Sequence, residues 1–274
     1  MSQPPGSARE GLAWQRGIWD RYPELYRQEV DRRFAPVVEQ VIMRAALQPE
    51  QHVLDLGTGT GSVALHAASL VGPGGAVLGI DISPAMLTVA QQRATAGGLT
   101  NVRFREGRAE AIPADDGHFH VVLASLSLMY AIDRAAAAPE MARVLRPGGR
   151  FVAAVWAGPE HCDIVLFQQT AGRFAPPPPV PGVGPGALAD PTPFLQQLTE
   201  AGIEAHVETA TLGFDFDNLL SAWTVLAGVT TAQLPLARQQ EAQTAVRATM
   251  WPQGDGPRHF RNLTHFIVGQ RRAS

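Results

Sequence analysis

The chain has 274 residues, 45% of them hydrophobic and 17% charged, so it can bury one large core with an appended cap but is short for two independent enzymes. Its formal net charge is only −3, which gives no global positive field to attract phosphate backbones, and a nucleic-acid partner is not expected. All 22 basic residues are arginine, and without lysine the chain can form neither a Schiff base with a carbonyl compound nor a P-loop.

The number of cysteines and the length of the apolar runs help to predict the cellular compartment. The single cysteine, Cys162, cannot form an internal disulfide, and residues 1–11 lack the basic start and apolar run of a signal peptide. No uninterrupted apolar run reaches the ~20 residues of a membrane span. The consecutive His161, Cys162 and Asp163 are poorly spaced for one metal ion. We therefore expect a cytoplasmic protein without a metal or a membrane anchor.

The first half of the chain predicts a helical region followed by alternating strands and helices. Apolar residues recur at helical spacing over roughly 14–47, and Pro49 ends this region. Strands are then expected at 52–56, 76–81, 102–106, 120–125 and 150–156, and helices at 62–70, 84–96 and 134–144. Short apolar strands separated by helices predict a parallel sheet that is covered on both faces.

The second half begins with a proline-rich segment, residues 174–193, which includes Pro176 to Pro179 and cannot be regular helix or central strand. Two interpretations stay open for it: a stiff surface spacer, or a border of the substrate entrance. A helix near 194–201, a strand near 205–216, helical material over 219–249 and a closing strand at 264–271 are predicted after it.

The clearest chemical signal is the run Val53-Leu-Asp-Leu-Gly-Thr-Gly-Thr-Gly61, between the first strand and the next helix. Its three glycines leave the turn without side chains, so a ligand can lie against backbone N–H groups at the start of the helix. Asp55, at the end of the strand, would repel a pyrophosphate and attract an ammonium group. The ligand should therefore carry positive charge at this point.

The second predicted strand ends at Asp81, 20 residues after Gly61. A carboxylate at this distance can accept hydrogen bonds from both ribose hydroxyls, which indicates an adenosine-type sugar without distinguishing between cofactors. Ile82 would then pack on the face of the purine. In the alternative interpretation, Asp81 only caps the helix that begins after it, at Pro84.

Four runs occur in a fixed order: Val53–Gly61, Gly79-Ile-Asp-Ile-Ser-Pro-Ala-Met-Leu87, Gly107-Arg-Ala-Glu-Ala-Ile-Pro113 followed by Phe119-His-Val-Val122, and Val144-Leu-Arg-Pro-Gly-Gly-Arg-Phe151. They resemble successive motifs of class I S-adenosylmethionine-dependent methyltransferases, most closely the ubiquinone/menaquinone-biosynthesis-like branch. The resemblance covers about Leu47 to Trp156. It implies S-adenosylmethionine as cofactor and S-adenosylhomocysteine as product.

Carried over position by position, the resemblance implies a set of cofactor-binding residues: Asp55, Gly57, Thr58, Gly59, Gly61, Asp81, Ile82, Met86, Arg108, Ala109, Glu110, Ala124 and Ser125. In this set the glycines flank the methionine part with Asp55 near its amino group, Asp81 binds the ribose, and the 108–110 segment follows the adenine edge. The branch usually has aspartate at position 108. Because arginine only donates hydrogen bonds, Arg108 is expected to turn outward, with Ala109 still contacting the ring.

The resemblance also predicts the fold and the division of the chain into parts. We expect an α/β fold: a Rossmann-like, mostly parallel seven-stranded sheet with helices on both faces, an N-terminal helical lid, and a small helical cap inserted before the last strand. The expected divisions are a lid at 1–47, a cofactor-binding core at 48–216, a cap at 217–256 that faces the substrate, and the final strand at 257–274.

The expected activity is in-line methyl transfer to an O, N or C atom of a small molecule, in secondary-metabolite or quinone-like biosynthesis, by a monomer or homodimer. A hydroxyl acceptor would favour a base, for which Tyr130 and His161 are the candidates, whereas an amine or activated carbon needs none. Five further residues form the predicted lid and substrate set: Trp19, Tyr22, Tyr26, Trp223 and Trp251. Each of these could instead simply pack on the core.

Two other functions remain open at this point. A nicotinamide-dependent oxidoreductase would use the same kind of fold, but the Gly-x-Gly-x-Gly spacing and Asp55 disfavour it. A non-catalytic protein could keep the cofactor fold for regulation or for assembly with a partner. It would then bind cofactor without turnover.

Overall fold

A computed structural model describes residues 5–273, with side chains for residues 8–228 and 230–273. A seven-stranded sheet in the order β3-β2-β1-β4-β5-β7-β6 forms its centre. The strands are β1 His52–Leu56, β2 Ala76–Asp81, β3 Val102–Glu106, β4 Phe119–Ser125, β5 Leu145–Trp156, β6 Ile203–Phe216 and β7 Arg258–Arg271. Strands β1 to β5 are parallel, and β7 runs antiparallel between β5 and β6. The predicted mostly parallel seven-stranded sheet is confirmed.

Helices surround this sheet. They are α1 Pro5–Trp19, α2 Pro23–Leu25, a π-helical turn Tyr26–Val30, α3 Asp31–Ala45, α4 Ser62–Val71, α5 Pro84–Ala96, a 3-10 turn Leu128–Tyr130, α6 Arg134–Val144, α7 Asp163–Gly172, α8 Thr192–Glu200, α9 Leu219–Leu226, α10 Gly228–Thr231 and α11 Leu236–Met250. Consecutive residues 121–124 of β4 point to alternate faces and are all buried, so both faces of the sheet are covered. No helix within residues 5–273 has the length and apolarity needed to cross a membrane.

The N-terminal helical region is not continuous. Helix α1 starts well before the predicted position 14, and the chain turns at residues 20–22 before α2 begins. Pro23 explains the break, because proline has no N–H to donate within a helix and is suited to its first turn. Residues 1–4 of the expected 1–47 lid lie outside the described residues.

Several predicted boundaries were wrong. Strand β7 begins at Arg258 rather than at 264, because its whole length pairs with β6, up to Phe216 opposite Arg258. The predicted helical stretch 219–249 is divided into α9, α10 and α11. Helix α7 lies where no element was predicted. These errors share a cause, since strand ends and helix breaks depend on partners distant in the chain.

The proline-rich segment packs on the rest of the molecule instead of standing apart as a spacer. Val180 and Leu188 are buried. The N–H of Gly184 donates to the carbonyl oxygen of Met129 at 3.0 Å, and Arg134 donates to the carbonyl oxygen of Gly182 at 2.9 Å. The segment is thereby fixed beside the 3-10 turn and α6.

Candidate active site

A cleft lies at the carboxyl ends of the parallel strands, where open α/β sheets bind their ligands. It encloses about 1350 Å³ of empty space, part of it open to solvent. Turns that follow β1, β2, β3 and β4 line one part, and helices α1, α7 and α9 line another. The two parts of this lining belong to one continuous cleft.

The glycine turn after β1 forms the floor of the cleft. Gly57, Gly59 and Gly61 have φ values of +67°, +53° and +89°, a region that side-chain-bearing residues rarely adopt. A Cβ on Gly57 would lie 2.4 Å from the Cβ of Ser127, whereas one on Gly59 would meet no atom within 4 Å. Gly57 and Gly59 line the cleft as predicted, and Gly61 instead begins α4 beneath it.

Asp55 and Thr58 lie below this floor. Asp55 is 1% exposed, and the Thr58 hydroxyl donates to its Oδ2 at 2.6 Å. Burial raises the pKa of Asp55 from 3.8 to about 7, against the opposing effect of the Thr58 hydrogen bond. Neither residue lines the cleft. The predicted contact of Asp55 with a ligand ammonium is thus not supported, because its carboxylate is turned inward to hold the glycine turn.

Asp81 lies on the wall of the cleft beside Ile82 and Met86, as predicted. Its two oxygens accept the backbone N–H groups of Gly59 and Ser83, each at 2.9 Å, and burial raises the pKa of its carboxyl group. Each carboxylate oxygen keeps a lone pair for a further donor, such as a sugar hydroxyl. The alternative role as a helix cap is wrong, because the Ser83 hydroxyl accepts the Met86 N–H at the start of α5.

The segment after β3 forms a rim of the cleft. Arg108 is exposed there, and Ala109 and Glu110 are partly buried. Oε1 of Glu110 accepts the N–H groups of Ile132 at 2.8 Å and Asp133 at 3.1 Å, so this carboxylate also holds the loop before α6. At the carboxyl end of β4, Ser125 reaches the cleft, whereas Ala124 is buried within the strand and does not.

The opposite wall is aromatic. Trp19 meets Tyr130 edge-on at a ring-centre distance of 5.2 Å and Tyr26 at 6.3 Å, and Phe34 meets Trp156 at 5.5 Å. These five residues, with Tyr26 6.5 Å from Phe34, form a continuous series of edge-to-face contacts that we call the aromatic arc. Its residues line the cleft, as does Tyr22. The predicted Trp19, Tyr22, Tyr26 and Tyr130 are brought together, while Phe34 and Trp156 were missed.

The two predicted base candidates are not brought together. Burial raises the pKa of the phenol groups of Tyr26 and Tyr130 above their usual value, so both stay neutral and can donate hydrogen bonds. His161 is exposed and does not line the cleft. No histidine of the described chain borders this space. Around the aromatic arc the site therefore offers ring surfaces and neutral hydroxyls, and the carboxylates of the cleft, Asp81 and Glu110, lie at the nucleoside-type rim.

The two cap tryptophans do not reach the cleft either. Trp251 is 5% exposed, donates from Nε1 to the Gly256 carbonyl oxygen at 2.9 Å, and lies 6.0 Å from the ring of Phe260. Trp223 lies 6.1 Å from the ring of Phe167. The cleft is closed instead by Ile164 and Gln168 of α7 together with Val225, Leu226 and Gly228. The i, i+4 spacing of Ile164 and Gln168 is the one sequence signal for this shared face.

Helix α1 is fastened directly to the rim of the cleft. Arg16 donates from Nε to the carbonyl oxygen of Ile82 at 2.9 Å and forms an ion pair with Glu106. The Ser83 hydroxyl donates to Asp20 at 2.6 Å. The helix thus covers the end of β2, where the predicted ribose-binding carboxylate lies. The sequence predicted the aromatic residues of this segment, but it did not predict these two hydrogen bonds and the ion pair.

Part of the chain is similar in sequence to proteins of known family. Residues 47–167 match the family model described as a methyltransferase domain. The nocamycin O-methyltransferase of Saccharothrix syringae is 38% identical over 135 residues, 48% of each chain. The ubiquinone/menaquinone biosynthesis C-methyltransferase UbiE of Shewanella frigidimarina is 36% identical over 118 residues, 43% of this chain and 47% of that protein. The chain spans about half the length of the curated relatives it matches.

Solved structures agree on the fold. The YcgJ protein of Bacillus subtilis superimposes with a TM-score of 0.66 at 23% identity, covering 88% of this chain and all of that one. A geranyl diphosphate methyltransferase solved with SAM gives a TM-score of 0.54 at 18% identity, over 87% of this chain and 85% of that one. Residues 47–167 therefore match a methyltransferase domain in sequence, in agreement with the resemblance found in the motifs. An oxidoreductase is not favoured.

Proposed function

We propose that this protein transfers a methyl group from S-adenosylmethionine to a small, largely apolar molecule and releases S-adenosylhomocysteine. The observation that carries the proposal is the continuity of the cleft, which joins a nucleoside-type rim to the aromatic arc in one space. The methyltransferase domain at 47–167 supports the reaction class.

The rim has the features that the cofactor needs. Gly59 leaves open space where a Cβ would stand, so a ligand can lie against the turn. Asp81 keeps lone pairs for two ribose hydroxyls, and Ile82 and Met86 offer apolar surface to a purine. The amide of Ala109 would contact the adenine edge, with the exposed Arg108 turned outward. Asp55 and Thr58 would act from below by fixing the shape of the turn.

When bound, the cofactor supplies an electrophilic methyl group on a positively charged sulfur. The aromatic arc would exclude water and hold the acceptor in line with that methyl group, and its ring faces favour a nearby cation. Alignment of this kind can lower a barrier by up to roughly 7–11 kcal/mol. Because Tyr26 and Tyr130 stay neutral, we propose that the site works by positioning, and that a proton of the methylated acceptor passes to bulk water when the product leaves, without a protein base.

We further propose the expected division into a lid at 1–47, a core at 48–216, a substrate-facing cap at 217–256 and a final strand at 257–274, in a cytoplasmic monomer or homodimer. Val225 and Leu226 support the substrate-facing assignment of the cap because they line the cleft. The relatives' names, which concern nocamycin and ubiquinone or menaquinone, support a role in secondary-metabolite or quinone-like biosynthesis.

The test is transfer of isotopically labelled methyl from S-adenosylmethionine into the small-molecule and macromolecular fractions of a host extract. Asp81→Ala should abolish the label, and Asp115→Ala, which changes an exposed aspartate, should leave it intact. Label in a small molecule supports the proposal and identifies the product by mass. Label found only in protein or nucleic acid would refute the acceptor class, and failure of the wild type to bind S-adenosylhomocysteine in calorimetry would refute the cofactor.

A further inference from the structure

Gln168 is a polar side chain of the cleft that has no task within the fold. It lies on α7, is 9% exposed, and lines the cleft one helical turn after Ile164. Its amide forms no hydrogen bond with any described residue, and its N and O atoms are not among the fully buried atoms that lack a partner, so they are reached from the cleft. An amide that opens onto a cavity and lacks a protein partner is suited to a ligand.

Two other polar side chains of the cleft are already engaged, and the neutral Tyr26 and Tyr130 hydroxyls of the aromatic arc are further donors. The Tyr22 hydroxyl donates to the carbonyl oxygen of Gly228 at 3.0 Å, and the Ser127 hydroxyl donates to that of Leu56 at 2.6 Å. Apolar side chains line the cleft on the same helix and on the helix in contact with it, namely Ile164 on α7 and Val225 and Leu226 on α9. An acceptor in this compartment would therefore find the Gln168 amide as a polar group set into an apolar wall.

The charges of the cleft argue for an uncharged acceptor. Within the described chain, the charged residues that line the cleft are Asp81, Arg108 and Glu110, and all three belong to the nucleoside rim. A carboxylate or ammonium group placed beside Gln168 would be desolvated without a counterion, which is unfavourable. A carbonyl or hydroxyl oxygen would instead satisfy the amide, since it can accept from Nε2, and a hydroxyl can also donate to Oε1.

We propose that Gln168 determines specificity by hydrogen-bonding an oxygen of the acceptor, so that the substrates are uncharged, apolar compounds bearing a carbonyl or hydroxyl group. This inference rests on the proposed function, because it assigns the acceptor to the compartment beside the aromatic arc. It assigns Gln168 a positioning role and no part in bond making. The Gln168→Leu variant tests this role, because it removes the amide group and keeps an apolar side chain of similar length.

Equilibrium dialysis of three probes, naphthalene, 2-naphthol and 2-acetylnaphthalene, tests the proposal with and without S-adenosylhomocysteine. The wild type should bind the two oxygenated probes about tenfold more tightly than Gln168→Leu does, with naphthalene affinity unchanged between them. Gln169→Leu, an exposed neighbour on the same helix, is the matched control and should behave as wild type. The melting temperature of Gln168→Leu should equal or exceed that of the wild type, because the substitution breaks no hydrogen bond within the described protein.

Three results would overturn the inference: equal loss of all three probes in Gln168→Leu, retention of the wild-type preference, or absence of any preference in the wild type. A marked fall in melting temperature would also count against it, since it would show that the amide is already paired within the protein. Probe selectivity without cofactor is independent of S-adenosylhomocysteine affinity. A failure of the proposed function therefore appears as lost cofactor binding, and a failure of this inference as unselective probe binding.

Discussion

Replacing Gly59 by alanine should separate ligand binding from folding. Gly59 has a φ of +53°, and an added Cβ would meet no atom within 4 Å, so the cost to folding is backbone strain without a clash. Left-handed backbone costs a residue with a side chain about 1–2 kcal/mol. In a protein of this size, that cost lowers the melting temperature by roughly 2–8 °C. The new methyl group stands in the cleft and should weaken S-adenosylhomocysteine binding at least tenfold, about 1.4 kcal/mol.

Gly98 supplies the matched control for this experiment. Its φ is +66°, its added Cβ also meets no atom within 4 Å, and it follows α5 without lining the cleft. Gly98→Ala should therefore lose a similar amount of stability to Gly59→Ala and keep wild-type affinity. Titration calorimetry gives the affinity, and denaturant unfolding gives the stability. Wild-type affinity in Gly59→Ala, or equal weakening in both variants, would refute the reasoning about the glycine turn.

Three further outcomes are expected. Asp55 has a pKa of about 7 in the folded protein, against an ordinary 3.8, so its protonated form stabilises the fold. This contribution is complete below about pH 4 and is lost as the pH rises to about 7. The free energy of unfolding then falls by at most roughly 1.4 kcal/mol per pH unit. Asp55→Asn should flatten that slope in denaturant unfolding from pH 5 to 7, and parallel slopes would contradict the assignment. Trp251→Ala should cost about 3–5 kcal/mol of stability with unchanged acceptor KM, whereas a raised KM at intact stability would place it in the pocket. Tyr130→Phe should leave the pH dependence of kcat unchanged between pH 6 and 9, and loss of a basic limb would show an ionising phenol.

The cofactor side of the site was largely predictable from the sequence because it is local. The glycine turn, the carboxylate at the end of β2 and the segment after β3 each lie in one short run of the chain. Their task depends on backbone shape and strand ends, which those runs specify. Gly57, Gly59, Asp81 and Ile82 accordingly lie on the cleft.

The acceptor side was predictable only in part because it is assembled from distant segments. Phe34 of α3, Trp156 of β5, Gln168 of α7 and Leu226 of α9 meet there, and each belongs to a pattern that would equally suit the core. Within the cap, Trp223 and Trp251 were predicted to face the substrate, but neither lines the cleft. A large ring such as that of Trp251 gains as much from burial against Phe260 as from a ligand, so the ring alone cannot distinguish the two.

The position of Asp55 shows that a local motif can identify a residue of the site without defining what its side chain contacts. A carboxylate at the end of β1 can turn toward the ligand or toward its own turn, and the sequence pattern is the same in both cases. Here the residue three positions later decides, because Thr58 reaches back to the carboxylate at 2.6 Å. The charge that seemed to select a cationic ligand is thereby used to shape the turn, and burial raises its pKa until it is only partly ionised near neutral pH. Attraction for a positive ligand must then come from the groups that line the cleft, which are the Asp81 and Glu110 carboxylates and the ring faces of the aromatic arc.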